Sequence, residues 1–231
     1  MRTPRPLRRG FYFVGLLMRT TFLIDGFNFY HSIEKLDKKF RWIDYKRLCS
    51  HFLAPGDMME EIYYFTAIAE WRSPESRQRH KVFIDAVKNQ EIRVVLGKFK
   101  EKTRKCQSRH KITRTPGKCP GCPQKFTAHE EKATDVNIAL YSYKLAHLDT
   151  FDKLILVTGD TDLVPAIKMV KTVFPSKRIE MLYPYGRANN ELSQASDHQS
   201  FVKVSHLESF QLPEIITLTS GRRLFRPPTW R

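Results

Sequence analysis

Short apolar runs alternate with longer stretches of helical periodicity along most of the chain. Runs that are apolar on both faces are typical of strands buried inside a parallel sheet, and apolar positions three and four residues apart predict amphipathic helices. The alternation of the two predicts an α/β fold with a parallel sheet and helices on both of its faces. The predicted strands are Thr21–Ile24, Ile62–Ala67, Ile92–Leu96, Leu154–Thr158 and Arg178–Tyr183. The predicted helices lie near Tyr30–Leu36, Tyr45–Phe52, Glu75–Asn89, Glu131–His147 and Leu163–Thr172.

Three segments interrupt or flank this pattern. Residues 98–129 lack apolar periodicity and are interpreted as an irregular insertion, which is unusual at this length unless something orders it. Residues 1–18 are interpreted as an N-terminal extension and residues 206–231 as a basic C-terminal tail, partly disordered from Pro213 onward. The α/β domain itself is predicted to span residues 19–205.

Composition narrows the classes of protein. The apolar fraction of 41% fits a globular chain, and no apolar run approaches the roughly 20 residues that span a bilayer. Four cysteines in 231 residues are too few for a disulfide-stapled secreted protein. The 40 Lys and Arg against 24 Asp and Glu give a net charge of +16, which favours nucleic acid first and an anionic membrane second. A soluble protein that is basic without a polyanionic partner is the competing interpretation.

The N-terminus has a loose likeness to a secretory signal, because arginines precede the apolar stretch Phe11–Leu17. No small-residue cleavage site follows, and a core strand begins at once. Met18 is also a second methionine at which translation can start. We therefore expect residues 1–17 to be an extension, translated from an upstream start codon, and the protein to be cytoplasmic.

Acidic residues follow two of the predicted strands. Asp25 comes directly after the first strand, and Asp160 and Asp162 follow the fourth. Glu131 and Asp135 open the long helix at i and i+4, and its apolar stripe is expected to turn it onto the sheet. Ligands of α/β folds bind beyond the carboxyl ends of the strands. That stripe consists of Val136, Ala139, Leu140, Tyr143 and His147.

Such a cluster is typical of a site for Mg²⁺ or Mn²⁺, since hard cations take carboxylate oxygens. A metal-bound water attacks phosphorus, and the metal offsets the charge of the phosphate. Each acid also has a plain structural alternative. Asp160 is suited to cap a helix, Asp25 to form a turn, and Glu131 to interact with a helix dipole. Their convergence on one edge favours the metal site.

Three motifs resemble the NYN domain, a PIN-like family, and most of all its LabA-like subgroup. They are FLIDGFN at Phe22–Asn28, EKATDV at Glu131–Val136 and VTGDTDLVP at Val157–Pro165. The resemblance implies a three-layer sandwich around a parallel sheet of about five strands, and a metal-dependent ribonuclease site. It implies metal-binding roles for Asp25, Asp135, Asp160 and Asp162, with Glu131 as a further acid. It also implies that Asn28 contacts metal water or substrate, and that Thr158 hydrogen-bonds an acid or a phosphate.

Cysteine and histidine residues in the insertion have zinc-ligand spacing. Thiolates with one imidazole suit tetrahedral Zn²⁺, and a structural Zn²⁺ would order a segment that has no core. LabA-like members often carry a cysteine-bearing insertion here. His129 is a substitute ligand, and a disordered basic loop with free thiols is the alternative. The predicted zinc ligands are Cys106, His110, Cys119 and Cys122.

The same insertion is strongly basic, which predicts a phosphate-binding arm beside the acids. Phe99 and Phe126 are placed to stack on bases of a single strand. Arg187 is expected to line the cleft. The basic residues of the arm are Lys98, Lys100, Lys102, Arg104, Lys105, Arg109, Lys111 and Arg114.

These observations predict an Mg²⁺- or Mn²⁺-dependent endoribonuclease that cleaves RNA, preferentially single-stranded, with a structural Zn²⁺. The alternative is a catalytically inactive PIN-like module that binds RNA or a regulatory partner. An inactive relative is expected to lack a motif carboxylate, and none is missing. No amphipathic helix with aromatic anchors supports a membrane partner. A homodimer is left open.

Overall fold

A computed structural model describes residues 17–105 and 125–231, and its centre is a six-stranded sheet. The strands are β1 (Arg19–Asp25), β2 (Met58–Thr66), β3 (Arg93–Leu96), β4 (Lys98–Lys105), β5 (Lys125–Lys132), β6 (Lys153–Val157), β7 (Arg178–Tyr183), β8 (His198–Phe201), β9 (Ile215–Thr217) and β10 (Arg223–Phe225). The helices are α1 (Gly26–Ile33), α2 (Tyr45–His51), α3 (Pro74–Lys88), α4 (Thr134–His147), α5 (Val164–Val173), α6 (Asn190–Ala195) and α7 (Val204–Ser209).

The sheet has the strand order β3-β2-β1-β6-β7-β8, and all its pairings are parallel. This confirms the predicted α/β fold and all five predicted strands. The prediction of about five strands was low by one, because β8 is a four-residue edge strand with little buried surface. A polar edge strand leaves no apolar run to detect. From β1 the chain adds β2 and β3 on one side of the sheet, and β6, β7 and β8 on the other. The strand order therefore changes direction between β1 and β6.

Two apolar clusters cover the two faces of the sheet, because successive side chains of a strand point to opposite faces. Phe22 and Ile24 pack into the cluster beneath α1, α2 and α3. Leu23 faces the cluster beneath α4, α5 and α6, which includes Ile138 and Ile167. The result is three layers, helix, sheet and helix, with the carboxyl ends of all six strands on one edge.

Helix α4 differs from its prediction at both its start and its buried face. It begins at Thr134, so Glu131 belongs to β5 and the expected i, i+4 pair with Asp135 does not exist. Most of the expected core stripe is exposed, with Leu140 at 61%. The helix instead buries the face that includes Ser142, whose hydroxyl donates to the Ile138 carbonyl at 2.8 Å. That bond satisfies the polar group and allows its burial.

The basic insertion forms an antiparallel hairpin in its described part. Strands β4 and β5 pair from Lys98 with Lys132 to Lys105 with Lys125. This corrects the expectation of an irregular segment. The predicted zinc ligands Cys106, His110, Cys119 and Cys122 lie outside the described residues, as do Arg109, Lys111 and Arg114 and residues 1–16 of the predicted N-terminal extension.

The C-terminal segment is folded onto the core, which differs from the expected partly disordered tail. After α7 the chain forms the antiparallel pair β9–β10 and a 3₁₀ turn at Pro228–Trp230. The Trp230 ring lies 5.9 Å from Phe83 and 6.3 Å from Trp42, centroid to centroid. The segment therefore completes the wall of the first apolar cluster.

In the part of the chain that the structure describes, the helices are too short or too polar for a bilayer-spanning segment.

Replacing Trp230 with alanine is expected to destabilise the protein by about 3–5 kcal/mol, because it leaves a cavity between Trp42 and Phe83. Phe225→Ala is the matched control, since that ring is 54% exposed on β10, and its effect is expected to stay within about 0.5 kcal/mol. Urea unfolding followed by circular dichroism measures both free energies. Equal, small losses in the two variants would show that the C-terminal segment is not part of the core.

Candidate active site

Asp25 lies at the end of β1 and is held by two hydrogen bonds. One carboxylate oxygen accepts from the Asn28 backbone N–H at 2.9 Å, which caps α1. The other accepts from the Thr158 hydroxyl at 2.9 Å. The residue is only 3% exposed. Its position follows from the sequence, because an aspartate directly after a strand satisfies the free N–H groups of the helix that begins there.

The loop after β6 is connected to the same point. The Gly159 N–H donates to the Asn28 side-chain oxygen at 3.0 Å, and the Thr158 hydroxyl accepts from the Asp160 N–H at 3.1 Å. Asp160 then caps the short 3₁₀ helix Thr161–Leu163 by accepting from the Asp162 N–H at 3.0 Å. Asn28 and Thr158 therefore hold the ends of two neighbouring strands together.

Two glycines allow these loops to approach their neighbours closely. A Cβ at Gly26 would lie 2.6 Å from the Tyr64 ring and 2.7 Å from the Phe65 carbonyl oxygen. A Cβ at Gly159 would lie 2.3 Å from the Arg187 carbonyl oxygen. All three distances are shorter than van der Waals contact permits. Arg187 is thus packed against the loop that carries Asp160, beside the predicted cleft.

Asp135 reaches the site from the first turn of α4. Ala133, the residue before the first residue of α4, has a φ of 77°, a left-handed conformation that costs an alanine about 1–2 kcal/mol. This residue turns the chain from β5 into α4 and so places Asp135 beside the loop after β6. Strained backbone conformations of this kind are concentrated at functional sites, where the direction of a side chain matters.

Burial and neighbouring carboxylates raise the pKa of two of the aspartates, Asp25 and Asp135. The pKa of Asp25 is raised to about 6, mainly by burial and to a smaller extent by the charges of Asp135 and Asp160, while its two hydrogen bonds act in the opposite direction. Partial desolvation, together with the charges of Asp160 and Asp162, also raises the pKa of Asp135. Like charges that cannot separate disfavour ionisation. The four aspartates therefore form one electrostatic group.

None of these four aspartates forms an ion pair within the described residues. Nor do any three acidic, histidine or cysteine side chains of residues 17–105 and 125–231 form a complete metal-binding group. The donor chemistry still fits Mg²⁺, which is held in proteins by one or two carboxylates, several waters and substrate phosphates. A bound cation of this kind would balance the negative charge of the four aspartates at the strand edge.

The structure brings most of the predicted site residues together, although their roles stay predictions. The side chain of Glu131 lies outside the described residues, and so does that of Lys105. Lys98, Lys100, Lys102 and Arg104 alternate along β4 and therefore share one face of the hairpin. The residues that meet at the edge are Asp25, Asn28, Asp135, Thr158, Asp160, Asp162 and Arg187.

A cavity of about 480 Å³, which no sequence pattern predicts, lies beside this edge. Gly26 and Phe27, which follow Asp25, belong to its wall, and Phe99 and His129 of the hairpin form another part. Its remaining lining comes mainly from α1, α3 and the loop after β2. No local pattern predicts such a cavity, because its residues are far apart in the chain.

The fold and the site can now be compared with known proteins. A sequence model described as the NYN domain matches residues 19–205. The chain belongs to the NYN domain family. This agrees with the resemblance of the three motifs, and it places Asp25, Asp135 and Asp160 inside the matched NYN region.

Two further comparisons accompany the family match. This NYN chain is 26% identical over 242 aligned residues to 6-hydroxy-3-succinoylpyridine 3-monooxygenase HspA of Pseudomonas putida, covering 92% of this chain and 75% of the relative. A crystal structure of a protein of unknown function from Vibrio parahaemolyticus matches with a TM-score of 0.50 and 18% identity, covering 85% of this chain and 97% of that one. The structural match supports the fold alone.

Replacing Asp25 with asparagine is expected to stabilise the metal-free protein near neutral pH. A folded-state pKa raised from 3.8 to about 6 means that stability is lost as pH rises through this interval. The shift of about two units corresponds to at most about 3 kcal/mol. Urea unfolding in EDTA at several pH values measures the difference between the variant and the wild type.

The stabilisation should be largest above pH 6 and should disappear toward pH 4, where both side chains are neutral. Glu60→Gln, an exposed carboxylate on β2, is the control and should show no such trend. A pH-independent difference for Asp25→Asn would contradict the electrostatic explanation.

Proposed function

We propose that this NYN domain is a metal-dependent ribonuclease that cleaves phosphodiester bonds of single-stranded RNA. The observation that carries the proposal is the group of four aspartates at the strand edge, in which burial and neighbouring carboxylates raise the pKa of Asp25 and Asp135, in a chain with a net charge of +16. Carboxylates alone repel a nucleic acid, so the two features are compatible when a cation lies between them. Membership of the NYN family supports the same activity.

The residues that would hold Mg²⁺ or Mn²⁺ are Asp25, Asp135, Asp160 and Asp162. When bound, the cation supplies positive charge next to the phosphate and makes water a stronger acid. Thr158 and Asn28 keep Asp25 and the loop after β6 in fixed positions, so little reorganisation is needed on binding. Arg187 and the basic face of β4 would neutralise the neighbouring phosphates of the strand.

The finer assignments remain part of the proposal. We place the chain in the LabA-like subgroup on its motifs, with a structural Zn²⁺ on Cys106, His110, Cys119 and Cys122. We further propose a cytoplasmic protein whose partner is RNA. The alternative of an inactive RNA-binding module predicts affinity without cleavage.

A second candidate function comes from the Pseudomonas relative, whose name describes oxygenation of a pyridine ring that carries an acid side chain. One observation favours a similar ligand here, since the cavity beside the strand edge is lined by aromatic rings and arginines. Identity of 26% does not by itself transfer an activity. The ribonuclease remains the proposal because the aspartates do not line this cavity.

Asp160→Asn is expected to abolish cleavage of a labelled single-stranded RNA in Mn²⁺, with a loss of at least about 100-fold. Asp135→Asn should behave alike, since both remove a carboxylate from the same electrostatic group. Gel analysis of products with Mn²⁺ and with EDTA measures the activity, and Glu60→Gln should retain it. RNA bound tightly but left intact by the wild-type protein would instead support the inactive module.

The double variant Lys98→Gln, Lys100→Gln is expected to weaken RNA binding and to flatten its dependence on salt. Each phosphate contact removed lowers the slope of log K against log salt by about 0.7 for a single strand. Fluorescence anisotropy in EDTA at several salt concentrations gives the slopes. Lys35→Gln, Lys88→Gln removes two exposed lysines outside the hairpin and serves as the charge control. The same slope in both double variants would exclude the hairpin as the binding face.

A further inference from the structure

The cavity beside the strand edge is a separate compartment from the aspartate group. None of the four aspartates lines it, although Gly26 and Phe27 follow Asp25 directly and belong to its wall. Its volume of about 480 Å³ falls within the range of about 300–1,000 Å³ that small-molecule sites occupy. A group bound here would lie next to whatever the aspartates hold.

A connected set of rings forms one wall. The Trp71 ring is stacked on His129, with centroids 3.9 Å apart and planes 10° apart. Phe99 makes edge-to-face contacts with both Trp71 and Phe27, with ring centroids 4.3 Å and 5.4 Å apart. Trp71 remains 38% exposed. This wall joins the basic hairpin to α1 and offers aromatic surface for stacking a planar ring.

Unpaired polar atoms are concentrated around the same cavity. Among the described residues, two buried guanidinium nitrogens have no hydrogen-bond partner, Arg41 Nε and Arg77 Nε, whereas His129 Nε2 lies 3.4 Å from a carboxylate oxygen of Glu101. All three residues line this cavity. A buried donor left without a partner is destabilising, so a ligand that supplies oxygen acceptors would offset that cost.

The cavity is also positively charged. Arg41, Arg72, Arg77 and Arg79 line it, and no acidic residue does so within the described part of the chain. Glu70 pairs with Arg77 through one terminal guanidinium nitrogen at 3.1 Å, which leaves its Nε unpaired. His80 also lines the cavity, and its pKa is lowered to about 4 by burial and then by the charge of Arg72. The cavity therefore favours an anion.

We propose that this cavity binds one nucleotide of a single-stranded RNA, with the base on the Trp71–Phe99 wall and the phosphate on Arg41 and Arg77. A nucleotide combines the two properties that the lining selects, a planar ring and anionic oxygens. The proposal rests on the proposed ribonuclease function for its biological meaning. The cavity would hold a base one position away from the phosphodiester at the aspartates, and the hairpin would extend the contact along the strand.

The first test is titration of the full chain with a nucleoside 5′-monophosphate in EDTA, by calorimetry. The double variant Arg41→Gln, Arg77→Gln and the single variant Trp71→Ala are each expected to raise the Kd about tenfold or more. Arg178→Gln, an exposed arginine at the start of β7, should bind as the wild type does. Thermal unfolding shows which variants are folded, and Trp71→Ala provides the result if the double variant is not.

The second test repeats the comparison with a short labelled single-stranded RNA in EDTA. The same two cavity variants are expected to weaken RNA binding, whereas Asp160→Asn should bind at least as well as the wild type. Unchanged RNA affinity in both cavity variants would overturn the proposal. So would tighter binding of pyridine-3-carboxylate than of the nucleotide, since that would assign the cavity to a small aromatic acid.

Failure of the proposed ribonuclease gives a different result. Nucleotide and RNA binding that depend on Arg41, Arg77 and Trp71, with no cleavage in Mn²⁺, would support the cavity and reject the nuclease. Cleavage that depends on Asp160 but is accompanied by no nucleotide binding in EDTA would reject the cavity and retain the nuclease.

Discussion

The hydrogen bond from Thr158 to Asp25 is the contact on which the site depends. It spans the carboxyl ends of β1 and β6, the two strands between which the direction of the sheet order reverses. Together with the bond from Gly159 to Asn28 it fixes two loops relative to each other. The aspartates therefore stay close although their charges repel, because the bonds and the packed strands prevent separation. A site of like charges is held together by neutral donors.

Charged side chains are arranged differently at the amino ends and at the carboxyl ends of the strands. At the amino ends of the strands, buried Lys153 lies 2.6 Å from Asp57, and Arg19 lies 2.9 Å from Asp152 and lowers its pKa to about 2. At the carboxyl ends, burial and neighbouring carboxylates raise the pKa of Asp25 and Asp135, and the four aspartates form no such pairs within the described residues. The ion pairs at the amino ends therefore stabilise the fold, whereas the crowded carboxylates at the carboxyl ends destabilise it. This is expected where a protein must bind a cation.

Features set by short-range chemistry were predictable from the sequence. Apolar runs located the buried strands, and Asp25 and Asp160 had to converge because parallel strands end on one edge. The basic hairpin was missed because its strand signal is the alternation of charge along β4, not of apolar residues. The buried face of α4 was misplaced because a hydroxyl bonded to the backbone can be buried while Leu140 is exposed. The cavity at Trp71 depends on tertiary packing alone.

The packing of Trp230 against Trp42 affects how the chain can fold. The two rings are in contact although their residues lie near opposite ends of the described chain. Contacts between residues so far apart in sequence slow folding, because a large loop must close first. During synthesis, the apolar cluster that contains Phe22 and Phe83 must wait for the C-terminal turn before its last wall is in place. Until then the nascent chain exposes aromatic surface, which is the condition in which partly folded chains associate and chaperones bind them.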